Sequence, residues 1–270
     1  MRINSQEQIA FATNRSLRNA NHIEKSVQKL ASGLKIAKSS DNAAGFAISE
    51  TMRTQVRGLA QAQRNMQDGL SLLEVTDEGL NNVNGLLQRA RELAVMNANG
   101  TLTDNDRVTS QQELTRLLEG INDTAEKLEF NTKNILGGNS SLILQIGANP
   151  TQEMTINLVD ISTTALNLND ASLLTREFAE QLITKIDDAF EITATHLTQT
   201  GSYMEALEHR LRNATLFEAN LTKSLSMIED TDVAREMMNF ISLDIRQKGD
   251  HLLVNQVNRT LHDSLGLFSK

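Results

Sequence analysis

The chain has 270 residues, 39% of them apolar but only 3% aromatic, with no Trp, one Tyr and one Pro. That composition suits a slender helical bundle closed over Leu, Ile, Ala and Met better than a thick globular core, and a single Pro leaves long helices uninterrupted. A formal net charge of -8 argues against a nucleic-acid partner held by phosphate attraction, and the absence of Cys removes disulfides, thiolate nucleophiles and Cys-ligated metals.

Residues 4–32 read as a helix, with Ile9, Thr13, Leu17, Ala20, Ile23, Val27, Leu30 and Leu34 recurring at three- and four-residue spacing. Gly33 interrupts the pattern, and KSSDN at 38–42 supplies a turn and a cap for the next helix. Residues 43–97 then form a very long helix, about 80 Å at 1.5 Å per residue. Its apolar members include Phe46, Ile48, Met52, Val56, Leu59, Met66, Leu70, Leu73, Leu80, Val83, Leu87, Leu93 and Met96. Gly58, Gly69 and Gly79 lie inside it. Glycine weakens a helix but lets backbones approach closely, so these three are candidate close-packing positions. NANGTLTDNDR at 97–107 is a loop ending in a capping box, Thr103 with Asp106. A shorter helix follows to about residue 130, with Val108, Leu114, Leu117, Leu118, Ile121, Ala125 and Leu128 on one side, and packs back antiparallel on the long one.

The period changes over 142–159. Leu142, Leu144 and Ile146, then Met154, Ile156 and Leu158, alternate with outward residues around an Asn-Pro connection, which predicts a β-hairpin lying on the helices. Helix returns over 171–229. One stripe is Leu174, Phe178, Leu182, Ile186, Phe190, Ala194 and Leu197; Leu207, Leu211, Leu216, Leu221, Leu225 and Ile228 continue it, and Gly201-Ser202 is a candidate kink. EDTD at 229–232 marks a break before a last helix carrying Met237, Phe240, Leu243, Leu252, Leu253, Val257, Leu261, Leu265 and Phe268.

The fold class is therefore mainly α: an elongated antiparallel helical bundle with one β-hairpin and a coiled coil of the two paired termini. The parts are 1–42, 43–229 (hairpin included) and 230–270. Each terminal stretch is too modest to be stable alone. The two are expected to pair with each other and with copies of the same chain, along the stripe Ile9, Leu17, Ile23, Val27, Leu253, Val257, Leu261 and Leu265.

Chemistry-bearing patterns are missing. The His residues 22, 196, 209, 251 and 262 show no HExxH or other compact metal spacing and read as exposed polar face. Glu229-Asp230, Asp187-Asp188 and Asp104/Asp106 are explained by caps and solvated loops, and no GxSxG elbow occurs. Gly137-Gly138 follows a helix and precedes a strand, the reverse of a phosphate-cradling loop. The expectation is no enzyme, no cofactor and no metal. No apolar run is long enough to span a membrane, and MRINSQEQIAFATNRSL has no secretory signal pattern. That predicts a cytoplasmic protein, or one exported by another route. Over 86–100, Arg89, Arg91 and Glu92 project from a helix whose other side carries Leu86, Leu93 and Val95, while Arg89 and Leu93, four apart, share one outward patch of the kind protein partners use.

Several segments form one ordered pattern: MRIN at 1–4, SVQKLASGLKIAKSSDNAAGFAISETMRTQVRGL at 26–59 and RNMQDGLSLLEVTDEGL at 64–80. It continues through LLQRARELAVMNANGTLTDNDR at 86–107, QQELTRLLEGIND at 111–123, LEFNTKNIL at 128–136, LILQIGANPTQEMTINLVD at 142–160 and IEDTDVAREMMNF at 228–240. Together these segments resemble bacterial flagellin, the subunit of the flagellar filament. The resemblance implies a helical tube whose paired termini form an inner coiled-coil layer, with the helical bundle and its hairpin as the next layer. Only residues 160–170 separate the expected hairpin from the returning helix, so outer variable domains are expected to be absent. It further implies an extracellular filament, export unfolded through the flagellar type III apparatus, a carboxy-terminal export chaperone, a cap protein at the growing tip and junction proteins at the base. Within the family, in some bacteria, the patch corresponding to Arg89, Leu93 and Glu113 is read by a vertebrate Toll-like receptor.

The chain departs from the family in SQEQIAFATNRSL after MRIN and in a more charged tail, with Asp244, Arg246, Lys248 and Asp250 close together. The expected function is a structural subunit that polymerises into the motility filament. The alternatives are a hook–filament junction protein or minor subunit, and a secreted monomeric adhesin or immune-receptor ligand.

Overall fold

The computed structural model describes the backbone of residues 5–138 and 140–268 and the side chains of 7, 10–138, 140–257 and 259. Its elements in chain order are α1 (Ser5–Ser32), α2 (Ala43–Asn97), α3 (Asp104–Lys127), β1 (Glu129–Phe130), β2 (Lys133–Asn134), β3 (Ser141–Gln145), β4 (Glu153–Asn157), α4 (Arg176–Glu229) and α5 (Val233–Phe268). The chain is mainly α with small antiparallel hairpins. It divides into two compact units: one joins the stretch up to Thr54 with that from Asn220, and the other runs from Gln55 to Ala219.

The second unit is organised by a strict heptad pattern. On α2 the buried seam positions are Leu59, Ala62, Met66, Gly69, Leu73, Thr76, Leu80, Val83, Leu87, Ala90, Ala94 and Asn97, alternating by three and four, with Leu72, Gly79 and Leu93 buried beside them. On α4 they are Ala179, Leu182, Ile186, Ala189 and Thr193 in the same alternation, then Thr200 and Leu207 at steps of seven. A 3.5-residue repeat on two helices keeps one seam facing the other, as in a coiled coil. Arg91 with Asp187 (2.7 Å) and Gln63 with Glu218 (2.6 Å) show that the two helices run antiparallel. The third helix, α3, adds Leu114, Ile121 and Ala125 to the same core. It too is antiparallel to α2, through Arg89–Glu113 and Asn82–Thr124.

Several apolar residues fall off this seam. Ile48, Met96, Val108, Leu174, Phe178 and Leu216, all expected on buried stripes, are exposed. Gly201-Ser202 passes inside α4 without ending it. The helix α4 begins at Arg176 rather than 171, because the preceding backbone is bound elsewhere. The Gln111 amide donates to Ala171 O (3.3 Å) and accepts from Leu173 N (2.6 Å). Residues 158–175 are thus an ordered loop that buries Ile161, Leu166, Leu168 and Leu173.

Local signals explain the ends of α3. Thr103 and Asp106 form the expected reciprocal capping box. At the other end the helix stops at Lys127, short of residue 130, and Asn134 Nδ2 donates to the terminal carbonyls of Ala125 (2.9 Å) and Glu126 (2.8 Å). That places β1 and β2 as a minimal hairpin turning through Asn131 (φ 49°) and Thr132 (φ 64°), a primed turn that matches strand twist.

The predicted hairpin is present as β3 and β4, with Leu142 opposite Ile156 and Leu144 opposite Met154. These four face inward and Ile143 faces out. The hairpin sits on α2 because α2 offers glycines there. A Cβ on Gly58 would lie 2.8 Å from Ala148 Cβ, and one on Gly69 would lie 2.6 Å from Leu144 Cδ2. Gly79 plays the same part for Leu128 and Leu136, at 2.5 and 2.7 Å. All three close approaches are within the chain.

Candidate assembly surface

In the first unit α1 and α5 are antiparallel. Ser26 donates to Glu236 (2.6 Å), and two α1 side chains reach Asp250, Arg15 through Nε (2.6 Å) and Nη2 and Asn19 through Nδ2 (2.9 Å). The Asp250 residue is only 1% exposed. Its carboxyl is held below the usual range by the Arg15 hydrogen bonds, which outweigh the opposing effect of burial. The buried α1 positions are Ala12, Asn19 and Ser26, one per heptad. On α5 the inward positions run Glu236, Phe240, Leu243, Gln247, Asp250, Val254 and Val257.

The terminal stripe read from the sequence is only partly turned toward the α1–α5 seam. Leu17 (60% exposed), Val27 and Leu253 point to solvent, while Ile23 and Val257 are half-buried. The side chains of Ile9, Leu261 and Leu265 lie outside the described residues. Apolar periodicity located a helix face but not the pairing face, because the seam is closed by small and polar residues that bond one another. Left outward are Phe11, Leu17 and Val27 on α1 and Met238, Ile241, Ile245 and Leu252 on α5.

The connection between these helices and their neighbours is a second polar knot. Asn42 Oδ1 accepts from Gly45 N (3.0 Å) to cap α2, and Asp232 Oδ1 accepts from Arg235 N (3.1 Å) to cap α5, as the KSSDN and EDTD segments led one to expect. Gly33 closes α1 with φ 72°, a left-handed C-cap suited to glycine. The carbonyl of Glu229 accepts from Lys35 N (2.5 Å), and Thr231 N donates to Gly33 O (2.8 Å). Glu229, read as part of a solvated break, is instead buried, and its carboxylate accepts from Arg53 Nη2 (2.6 Å).

The outward patch expected on the second unit is split. Arg89 bonds Glu113 (2.9 Å) and Glu92 (2.9 Å) at the surface. Leu93, expected beside Arg89, is 2% exposed and belongs to the core, whereas Val95, expected on the inner side, is half exposed. Leu93 lies three residues from Ala90 at the edge of the α2 seam, so the i,i+4 relation to Arg89 does not bring it out.

Sequence reasoning also missed Arg107 and His196. The Arg107 guanidinium is buried and donates to Asn97 O (2.5 Å) and Asn99 O (3.0 Å), capping the carbonyl end of α2. His196, read as exposed, lies partly buried between Thr193 and Thr200 on the α4 seam, and its Nδ1 has no hydrogen-bond partner among the described residues. Burial lowers its pKa. A lowered pKa means the unfolded chain takes the proton first, so stability falls as pH drops below the ordinary histidine value of about 6.5. Thermal unfolding is expected at lower temperature at pH 5 than at pH 7, with His196→Gln flattening that slope; an unchanged slope in the variant would contradict it.

Among the described residues no group of His, Asp or Glu could hold a metal, and no helix is long and apolar enough to cross a membrane.

The profile of the bacterial flagellin N-terminal helical region matches residues 3–141, and that of the C-terminal helical region matches residues 183–265. Flagellin of Halalkalibacterium halodurans is 35% identical over 89% of this chain and 90% of its own. Flagellin of Bacillus subtilis is 32% identical over 99% of each. Among solved structures, Bacillus cereus flagellin aligns with a TM-score of 0.51 at 31% identity, over 56% of this chain and 88% of that one. A putative flagellar hook-associated protein from Vibrio parahaemolyticus shares the fold, at a TM-score of 0.59 and 14% identity over 70% of this chain and 99% of that one.

Proposed function

The chain belongs to the bacterial flagellin family, and from that premise we propose that it polymerises through its paired terminal helices, with α1 and α5 as the inner layer of an extracellular filament. It is a structural subunit of short form, without outer variable domains. The observation that carries the assembly reading is the polar α1–α5 seam. Because that seam uses Asn19, Ser26, Glu236 and Asp250, the apolar residues Phe11, Met238, Ile241, Ile245 and Leu252 are left free to bury against other copies. Such burial is worth about 25 cal/mol per Å² of apolar area, and heterologous contacts of this kind grow open helical assemblies.

The same reading supplies the partners: a cap protein at the growing tip, junction proteins at the base, and a chaperone that holds α5 before type III export. The Arg89–Glu113 pair with Glu92 is the exposed part of the surface offered to a vertebrate Toll-like receptor, with Leu93 supporting it from the core. Electron microscopy of the purified chain, with and without short sheared filament seeds, tests the reading. Long, smooth filaments of one helical symmetry are expected. Short capped assemblies would point to a junction protein, and persistent monomers to a secreted monomeric ligand.

A further inference from the structure

We propose that Asp250, read by Arg15 and Asn19, determines which face and which register of α5 pairs with α1. The apolar residues do not make that choice. The helix α5 has two faces with the same heptad spacing. The inward one carries Glu236, Phe240, Leu243, Gln247, Asp250, Val254 and Val257, and the outward one carries Met238, Ile241, Ile245 and Leu252. Continued at that spacing the outward stripe also holds Lys248 and Asn255, and with four apolar residues on each face burial alone does not choose between them. Register is equally underdetermined, since Phe240, Leu243, Val254 and Val257 offer similar apolar packing after a slip of one heptad.

The polar groups break both degeneracies. Turning α5, or sliding it by seven residues, removes the Asp250 carboxylate from Arg15 and Asn19, the residues that supply its hydrogen bonds. A slip also places apolar Leu243 or Val257 opposite those donors. On a slip the carboxylate stays in the seam without its partners, at a cost well above what apolar packing returns; on turning, the charge-assisted bonds to Arg15 and Asn19 are given up. A single buried polar residue fixing register is the best-attested use of such groups in helix pairs. In the filament reading, on which this inference rests, the consequence is that the apolar stripe stays outward for a second copy.

The chain has no Cys, so engineered pairs report register directly. The full-length chain carries either Ser26→Cys with Glu236→Cys, the observed neighbours, or Ser26→Cys with Gln247→Cys, an inward position that comes level with Ser26 only after a one-heptad slip. Each pair is oxidised with diamide in dilute monomer and in seeded polymer, and the intrachain disulfide is read by mass spectrometry. Both backgrounds lack the Ser26–Glu236 layer or weaken it, which leaves register to Asp250. With Asp250 present the 26–236 disulfide is expected to dominate. With Arg15→Leu, Asn19→Leu and Asp250→Leu together, helix content is expected to persist while the 26–247 disulfide rises to match it. Dominance of the 26–236 disulfide in the leucine variant would overturn the proposal. A second arm guards against misfolding: Asp250→Arg alone is expected to lose the 26–236 disulfide, and Arg15→Asp with Asp250→Arg to recover it. Retention in the single variant, or no recovery in the double, also overturns the proposal. Because the disulfide lies within one chain, its yield is scored separately from filament growth, so failure of the filament reading and failure of this one are distinguishable.

Discussion

A chain ending at Asp232 is expected to form no filaments, even on sheared seeds, while residues 55–219 keep their folded core. Truncation removes α5 and with it Glu236 and Asp250, the acceptors that anchor Ser26, Arg15 and Asn19. The helix α1 is then 28 residues with no partner. Helical stability in proteins comes mainly from packing an amphipathic face rather than from propensity, so the loss of α5 unravels α1 as well. The other unit is insulated because its core is its own. Leu73, Leu80 and Leu87 of α2, Leu114 and Ile121 of α3 and Leu182 and Ile186 of α4 are buried together with Ile156 of the hairpin. Seeded growth followed by microscopy, with circular dichroism on the monomer, checks both halves. Elongation at the rate of the intact chain would sink the assembly reading. Loss of the cooperative unfolding transition of 55–219 would show that the two units are not independent.

How legible the fold was depended on whether an apolar period coincided with the packing seam. On α2 it did: Leu59, Met66, Leu73, Leu80 and Leu87 were on the expected stripe and are buried, as is the hairpin residue Ile156. Local side-chain chemistry was equally readable, since the Thr103–Asp106 box and the caps at Asn42 and Asp232 depend only on residues three apart. The terminal pair was not readable, because its inward positions include Asn19, Ser26, Glu236 and Asp250. A hydrophobic pattern registers these as solvent face, and their bonds join residues more than 200 positions apart. The one available signal was indirect: Ala12, Asn19 and Ser26 repeat every seven residues with small or amide side chains. The hairpin of β1 and β2 was hidden for a related reason. It is fixed by Asn134 reaching the end of α3 rather than by its own two-residue strands. At the candidate site, the Arg89–Glu113 pair became visible only when α3 was laid antiparallel on α2, and Leu93 was misplaced because helix spacing gives a face but not how far the neighbouring helix covers it.

The second large effect separates the two members of a buried ion pair. The Glu229 side chain is only 5% exposed and receives Arg53 Nη2 at 2.6 Å, while Arg53 is 34% exposed and also bonds Glu50 at 2.8 Å. Removing one partner of a buried pair is costly in proportion to how completely the other is sealed from water. Arg53→Leu leaves a carboxylate with little water and no guanidinium, and is expected to cost the first unit about 3 kcal/mol, the lower end of the range for broken buried pairs, since Arg53 itself is partly solvated. Glu229→Leu leaves an arginine that keeps Glu50 and its access to water, and is expected to cost clearly less. Hydrogen exchange reads the difference at the amides that the knot orders, Lys35 N and Ile36 N on the Glu229 carbonyl and Thr231 N on Gly33 O. Faster exchange there in Arg53→Leu than in Glu229→Leu, with amides of the 55–219 core unchanged in both, is the predicted pattern. Equal acceleration in the two variants would mean that the pair contributes only packing, and that the backbone bonds of residues 33–36 with 229–231 hold the junction without it.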